Sequence, residues 1–173
     1  MPKILFNARE QLLAEAKRQI NEKGYAATTM RSVAGACGFA VGTMYNYFES
    51  KEALISMYVA EDWKLHLEAM STLPTDCPRT LFLGMYNSIV EFIKKHERLF
   101  SDHDAAKVLH NNFMEKHTVL RDQLADIIAP VCSGRELEDP EFTAIFIAET
   151  ILATAKTNTD FDLVYPILEK IIK

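Results

Sequence analysis

Four histidines, His96, His103, His110 and His117, recur at every seventh position, a regularity that first suggests a metal site. On one helix, residues seven apart stand about 10.5 Å apart along the axis, too far for one ion to bind both. The spacing therefore reads as a partly polar helix face, and no metal is expected. Cys37, Cys77 and Cys132 are an odd set without ligand spacing, so neither a disulfide framework nor a zinc cluster is implied. The chain also lacks a phosphate-cradling glycine loop, a nucleophile elbow, a paired acidic motif and a zinc-helix signature. The residues point to no enzyme and no cofactor. The chemistry has to lie in binding.

The elements that would position such binding follow from composition and periodicity. The chain has 173 residues, 49% of them apolar and 25% charged, the balance of a globular protein with a sizeable core rather than a disordered tail. Six glycines and six prolines leave long uninterrupted stretches, and the apolar residues in them recur at helical spacing. No basic-then-apolar leader and no apolar run near the ~20 residues needed to span a bilayer are seen. The expectation is a reduced, cytoplasmic, all-α protein without membrane contact.

Asn7 and Glu10 are spaced as a capping box ahead of Leu12, Leu13, Ala16 and Ile20, and Gly24 should end that first helix. Thr28-Thr29 offers the cap of a short helix broken by Gly38, and a third short helix is expected from about residue 40 to 48. Ser50 then caps a long helix reaching about residue 70, and residues 71–78, with two prolines, form a boundary. Beyond it helices are expected near 79–95, 104–129 (ended by Pro130), 140–156 (capped by Asp139) and 160–172, the last kinked or restarted at Pro166. Residues 97–102 read as a turn-rich link.

Charge divides along the chain. Net charge is −5, yet residues 1–52 hold seven basic and five acidic residues, leaving twelve basic and nineteen acidic beyond. A mildly basic head on an acidic body suits a DNA reader joined to a second module, although the asymmetry alone decides nothing. A short helix, a tight glycine turn and a second short helix within the first fifty residues is helix-turn-helix geometry, in which the second helix enters the major groove.

The residues sharpen that pattern. Leu12, Ala16, Ile20, Gly24-Tyr25, Thr28-Thr29-Met30-Arg31-Ser32-Val33-Ala34, Gly38-Phe39, Gly42-Thr43-Met44-Tyr45-Asn46-Tyr47-Phe48 and Ser50-Lys51-Glu52-Ala53-Leu54 together resemble the DNA-binding domain of the TetR family of transcriptional regulators. The resemblance implies an all-α fold: an N-terminal three-helix helix-turn-helix domain at residues 1–52, joined by a long helix to a helical ligand-binding and dimerisation domain at 53–173. It implies DNA contacts by Thr29, Arg31, Ala40, Val41, Gly42, Thr43, Tyr45, Asn46, Tyr47 and Lys51. Thr29 would offer its hydroxyl to a phosphate while capping its helix. Gly42 would keep the reading helix flat, Thr43 would touch a base edge or thymine methyl, and Lys51 would meet a phosphate. Two departures stand out: Ala40 replaces the customary capping Ser, and Val41 occupies a groove-facing place that is often polar.

The resemblance further implies a homodimer, built by the last two long helices, that reads a palindromic operator in double-stranded DNA. Phe142, Ile145, Phe146, Ile151 and Leu152, with Leu163, Ile167, Leu168 and Ile171, form the apolar stripes for it. Trp63, Phe82, Met85, Tyr86, Phe92, Phe100, Phe113 and Met114, with His110 as a polar partner, would line a pocket for a small, largely apolar inducer that releases the operator. The rival reading is a helix-turn-helix-like adaptor that binds a protein partner, favoured by Ala40, Val41 and the modest positive charge.

Overall fold

In the computed structural model residues 7–173 are described, those at 108–116 through their backbone alone. The described residues form nine α-helices and no strand: α1 (Ala8–Ala27), α2 (Met30–Ala36), α3 (Val41–Tyr45), α4 (Lys51–Ser71), α5 (Pro78–Lys95), α6 (Glu97–Ser101), α7 (His103–Ser133), α8 (Pro140–Lys156) and α9 (Phe161–Ile171). The all-α expectation holds. No described helix is long and apolar enough to cross a membrane.

Local chemistry explains most boundaries. Thr29 Oγ1 accepts from the Ser32 amide at 3.0 Å while Ser32 Oγ accepts from the Thr29 amide at 3.0 Å, a reciprocal cap that starts α2. Asp139 accepts from the Phe142 amide at 2.9 Å, with Pro140 at the first helical position of α8. Ser50 caps α4 through the Ala53 amide. Gly24 leaves helical geometry at φ 82°, ψ 173°, a conformation essentially reserved for glycine, and one turn of Tyr25–Ala27 follows it.

Four expectations are corrected. Asn7 stands at the N-cap of α1 in the left-handed region (φ 58°) with no side-chain cap bond, so the capping box with Glu10 does not form. Residues 97–101 are a helix rather than a turn-rich link. Pro130 does not end α7, because in the last turn it removes a single amide and the helix can run on to Ser133. Nor does Pro166 restart α9; Asp162, whose carbonyl would have paired with its missing amide, is exposed, so water can satisfy that oxygen.

The chain divides into two compact units. The first comprises residues up to Glu61 together with His96–Asn112. Its core is Leu12, Ala16, Ile20, Val33, Ala34, Met44, Leu54 and Ile55, with Leu99 of α6 packed where that helix meets α1. The second comprises Asp62–Lys95 and Phe113–Lys173, in which α5 packs on α8 and α9 around Leu81, Phe82, Met85, Ile89, Ile147, Ile151 and Leu168.

Candidate nucleic-acid interface

The helix-turn-helix element is assembled by two short helices and one turn. α2 lies between α1 and α3, which pack on it. Gly38 makes the turn at φ 71°, a left-handed conformation that disfavours other residues, and the Phe39 amide closes it onto the Ala34 carbonyl at 2.8 Å. Met44 and Phe48, one helical turn apart, are both buried and orient α3. The opposite side is left outward: Ala40, Gly42, Tyr45, Asn46 and Tyr47 are exposed, while Val41 and Thr43 are half-buried. Tyr45 and Tyr47 retain 52% and 45% exposure, high for large aromatics that nothing in this unit requires to be outside.

Gly42 is informative because the fold does not need it. Its φ is ordinary, and a Cβ built on it meets nothing within 4 Å. A glycine here costs helix stability without relieving any internal contact. Ala40, at the N-cap of α3 in extended geometry (φ −65°, ψ 145°), makes no side-chain cap bond. The helix start is therefore left to backbone bonds from Thr43 and Met44 to the Ala40 carbonyl.

Arg31 is exposed on α2. Thr29 is exposed too, and its cap uses an oxygen lone pair, which leaves the hydroxyl hydrogen available to an outside acceptor. Lys51 is differently placed from a solvated phosphate contact. Its ammonium donates to the Tyr25 carbonyl and lies 3.6 Å from the Tyr25 ring centroid, a cation–π contact that ties the end of α1 to the start of α4. Burial pushes the Lys51 amine below its ordinary range. Burial, with Glu52 beside it, pushes the Tyr25 phenol up to about 12.

Sequence reasoning missed the residue that joins α1 to α2. Gln19 is 1% exposed; its amide nitrogen donates to the Ser32 carbonyl at 3.1 Å and to Glu15 at 2.7 Å, and its oxygen accepts from Ser32 Oγ at 2.6 Å. Its position between Ala16 and Ile20 on the apolar stripe was the available signal.

A family model described as bacterial regulatory proteins, tetR family, matches residues 12–57, which are the helices just described. The N-terminal helices thus match the DNA-binding module of TetR-family transcriptional regulators. The HTH-type regulator YerO of Bacillus subtilis (strain 168), itself called uncharacterized, is 40% identical over 47 residues, 27% of this chain and 16% of that protein. The HTH-type transcriptional repressor KstR2 of Mycolicibacterium smegmatis is 27% identical over 107 residues, 58% of this chain and 51% of that protein. The chain thus spans between about a sixth and half of these curated relatives. The crystal structure of a TetR-family regulator from Pectobacterium atrosepticum superposes with a TM-score of 0.64 at 20% identity, covering 87% of this chain and 80% of that one, which shows the shared fold. The family is one of DNA-binding regulators, not enzymes.

In the second unit, Trp63, Phe82, Met85, Tyr86 and Phe92 are all buried. Trp63 packs edge-on to Phe92 at 5.2 Å and donates its indole hydrogen to Gln123 at 2.9 Å, and the Tyr86 hydroxyl donates to the Thr159 carbonyl. Phe82 and Met85 are fully enclosed by protein. Phe100 belongs to the first unit, its ring tilted against that of His96. The side chains of His110, Phe113 and Met114 lie outside the described residues. A partly exposed polar group runs beside the aromatic pair: Lys95 pairs with buried Asp62, and His66 Nδ1 is 2.9 Å from Ser88 Oγ, its ring edge-on to Phe92. His96 is buried against Tyr58, His103 is exposed near Asp104, and His117 lies 3.6 Å from Glu149. Among the described residues no three His, Cys, Asp or Glu gather as a metal site.

Proposed function

We propose that this regulator is a homodimeric repressor that reads a palindromic operator in double-stranded DNA and leaves it when a small, largely apolar molecule enters the second unit. The observation that carries the reading is the outward face of α3: exposed Tyr45, Asn46 and Tyr47 flank a glycine that the fold itself does not require. Thr29 and Arg31 on α2 would supply backbone contacts. Lys51 acts first as a brace between α1 and α4, and its phosphate contact is the least supported of the set.

Dimerisation is supported by apolar surface on α8 and α9, which pack on one another. Phe142, Phe146, Leu163 and Ile167 remain 63%, 45%, 69% and 61% exposed, at i, i+4 spacing on each helix. Stripes of this kind mark an interface in an otherwise soluble protein. Ile151 and Leu168, read from sequence with that stripe, are fully buried in the second unit's own core. For the inducer, Trp63 and Phe92 with Gln123, Ser88 and His66 offer an apolar surface carrying a few polar handles.

The test is selection of the purified protein from a randomised duplex pool, followed by titration of the winner at several salt concentrations, with the mass of the free protein measured in parallel. A palindromic winner whose affinity falls steeply with salt supports the reading. Phe146→Glu with Leu163→Glu should then yield a monomer that loses the palindrome. Absence of enrichment by a folded dimer refutes it and leaves the protein-binding adaptor.

A further inference from the structure

From residue 32 to residue 48 the chain carries no charged side chain, and α3 with its flanks presents Ala40, Val41, Gly42, Thr43, Tyr45, Asn46 and Tyr47. The side chains that read guanine and cytosine by charge-assisted hydrogen bonds, Arg, Lys, Glu and Asp, are absent from this helix. What remains is methyl groups on Ala40, Val41 and Thr43, the amide of Asn46, and two phenols. In the major groove only thymine among the four bases presents a methyl, and an amide side chain pairs best with adenine. Val41 and Thr43 are also short and half-buried, so they reach a base edge only if α3 lies deep in the groove. The bare surface at Gly42 and the small side chain of Ala40 permit that close approach.

We infer that this regulator reads its half-site chiefly through thymine 5-methyl groups, with Val41 and Thr43 as the residues that determine specificity, so that the base pairs under α3 are A·T. The inference rests on the proposal that the chain reads DNA, and it narrows that proposal to a class of operator. Specificity of this kind is apolar and insensitive to salt, whereas affinity through phosphates is not.

The experiment uses the duplex enriched from the randomised pool, resynthesised with deoxyuridine replacing thymidine at one position at a time. Uracil keeps every hydrogen-bonding group and lacks only the methyl. Loss of one methyl-sized contact should weaken binding about fourfold at one or two positions in each half-site. Val41→Ala, confirmed folded by circular dichroism, should bind the thymidine duplex more weakly and lose the discrimination at one of those positions. A tight duplex that is indifferent to uracil at every position, or a half-site dominated by G·C under α3, overturns the inference while leaving DNA binding intact. Failure to enrich any duplex removes DNA binding itself, and the inference with it.

Discussion

Replacing Gly42 by Ala should make the protein more stable and a poorer DNA binder at once. Gly42 has an ordinary helical φ, and an added Cβ would meet no atom within 4 Å, so the methyl introduces neither strain nor a clash. The substitution then acts mainly by restricting the unfolded chain, a gain of about 0.4–1 kcal/mol. For a chain of this length that corresponds to a rise of roughly 1–4 °C in the melting midpoint. The methyl points outward from α3, where the proposed reading has the groove approach the backbone. Holding the helix off by one methyl separates Val41 and Thr43 from the base edges, and loss of two methyl-sized contacts at about fourfold each costs about sixteenfold in affinity. Thermal and urea unfolding by circular dichroism at fixed protein concentration gives the first quantity, and fluorescence anisotropy with the selected duplex gives the second. A variant that is stabilised and binds with unchanged affinity refutes the close approach of α3. A destabilised variant refutes the claim that the fold has no use for glycine there.

Four further outcomes follow from the first unit. Ala40→Ser places an acceptor on an N-cap residue already in extended geometry, and should stabilise the fold by about 1 kcal/mol, read from the shift in urea midpoint; Thr29→Ala, which removes an existing cap, should cost about as much. Gln19→Leu removes the two side-chain bonds that tie Ser32 of α2 to α1, while the Ser32 hydroxyl keeps its bond to the Thr29 carbonyl, and should cost about 1–3 kcal/mol in the same assay while leaving helix content unchanged. The Arg18 guanidinium, with Gln19, holds the Glu15 carboxyl at about 2 against an ordinary 4.5. Because the folded value is depressed, its contribution is present above pH 4.5 and is lost as pH falls towards 2. Glu15→Gln should therefore flatten the decline in urea midpoint across that window, and an unchanged profile would show that the pair does not stabilise the fold.

Most helix starts, the turn glycine Gly38 and the short helix α3 were legible in the sequence because each depends on residues within four positions of one another. Thr29 and Asp139 cap the helices that their spacing announces, and Gly38 turns the chain where its lack of a side chain permits a positive φ. The uncharged run over α3 and the missing cap at Ala40 are likewise properties of the amino-acid order alone. Which apolar residues face inward was not legible at this level. Ile151 and Leu168 are core whereas Phe142, Phe146, Leu163 and Ile167 are exposed, because burial is decided by neighbours brought from distant parts of the chain. The same holds for polar groups. Gln19 could be recognised as buried only once Ser32 stood opposite, and Lys51 could be recognised as a brace only once the Tyr25 ring and carbonyl lay beneath its ammonium. Tertiary structure settled these points because a side chain's partner and its access to water are properties of the space around it, which local order does not specify.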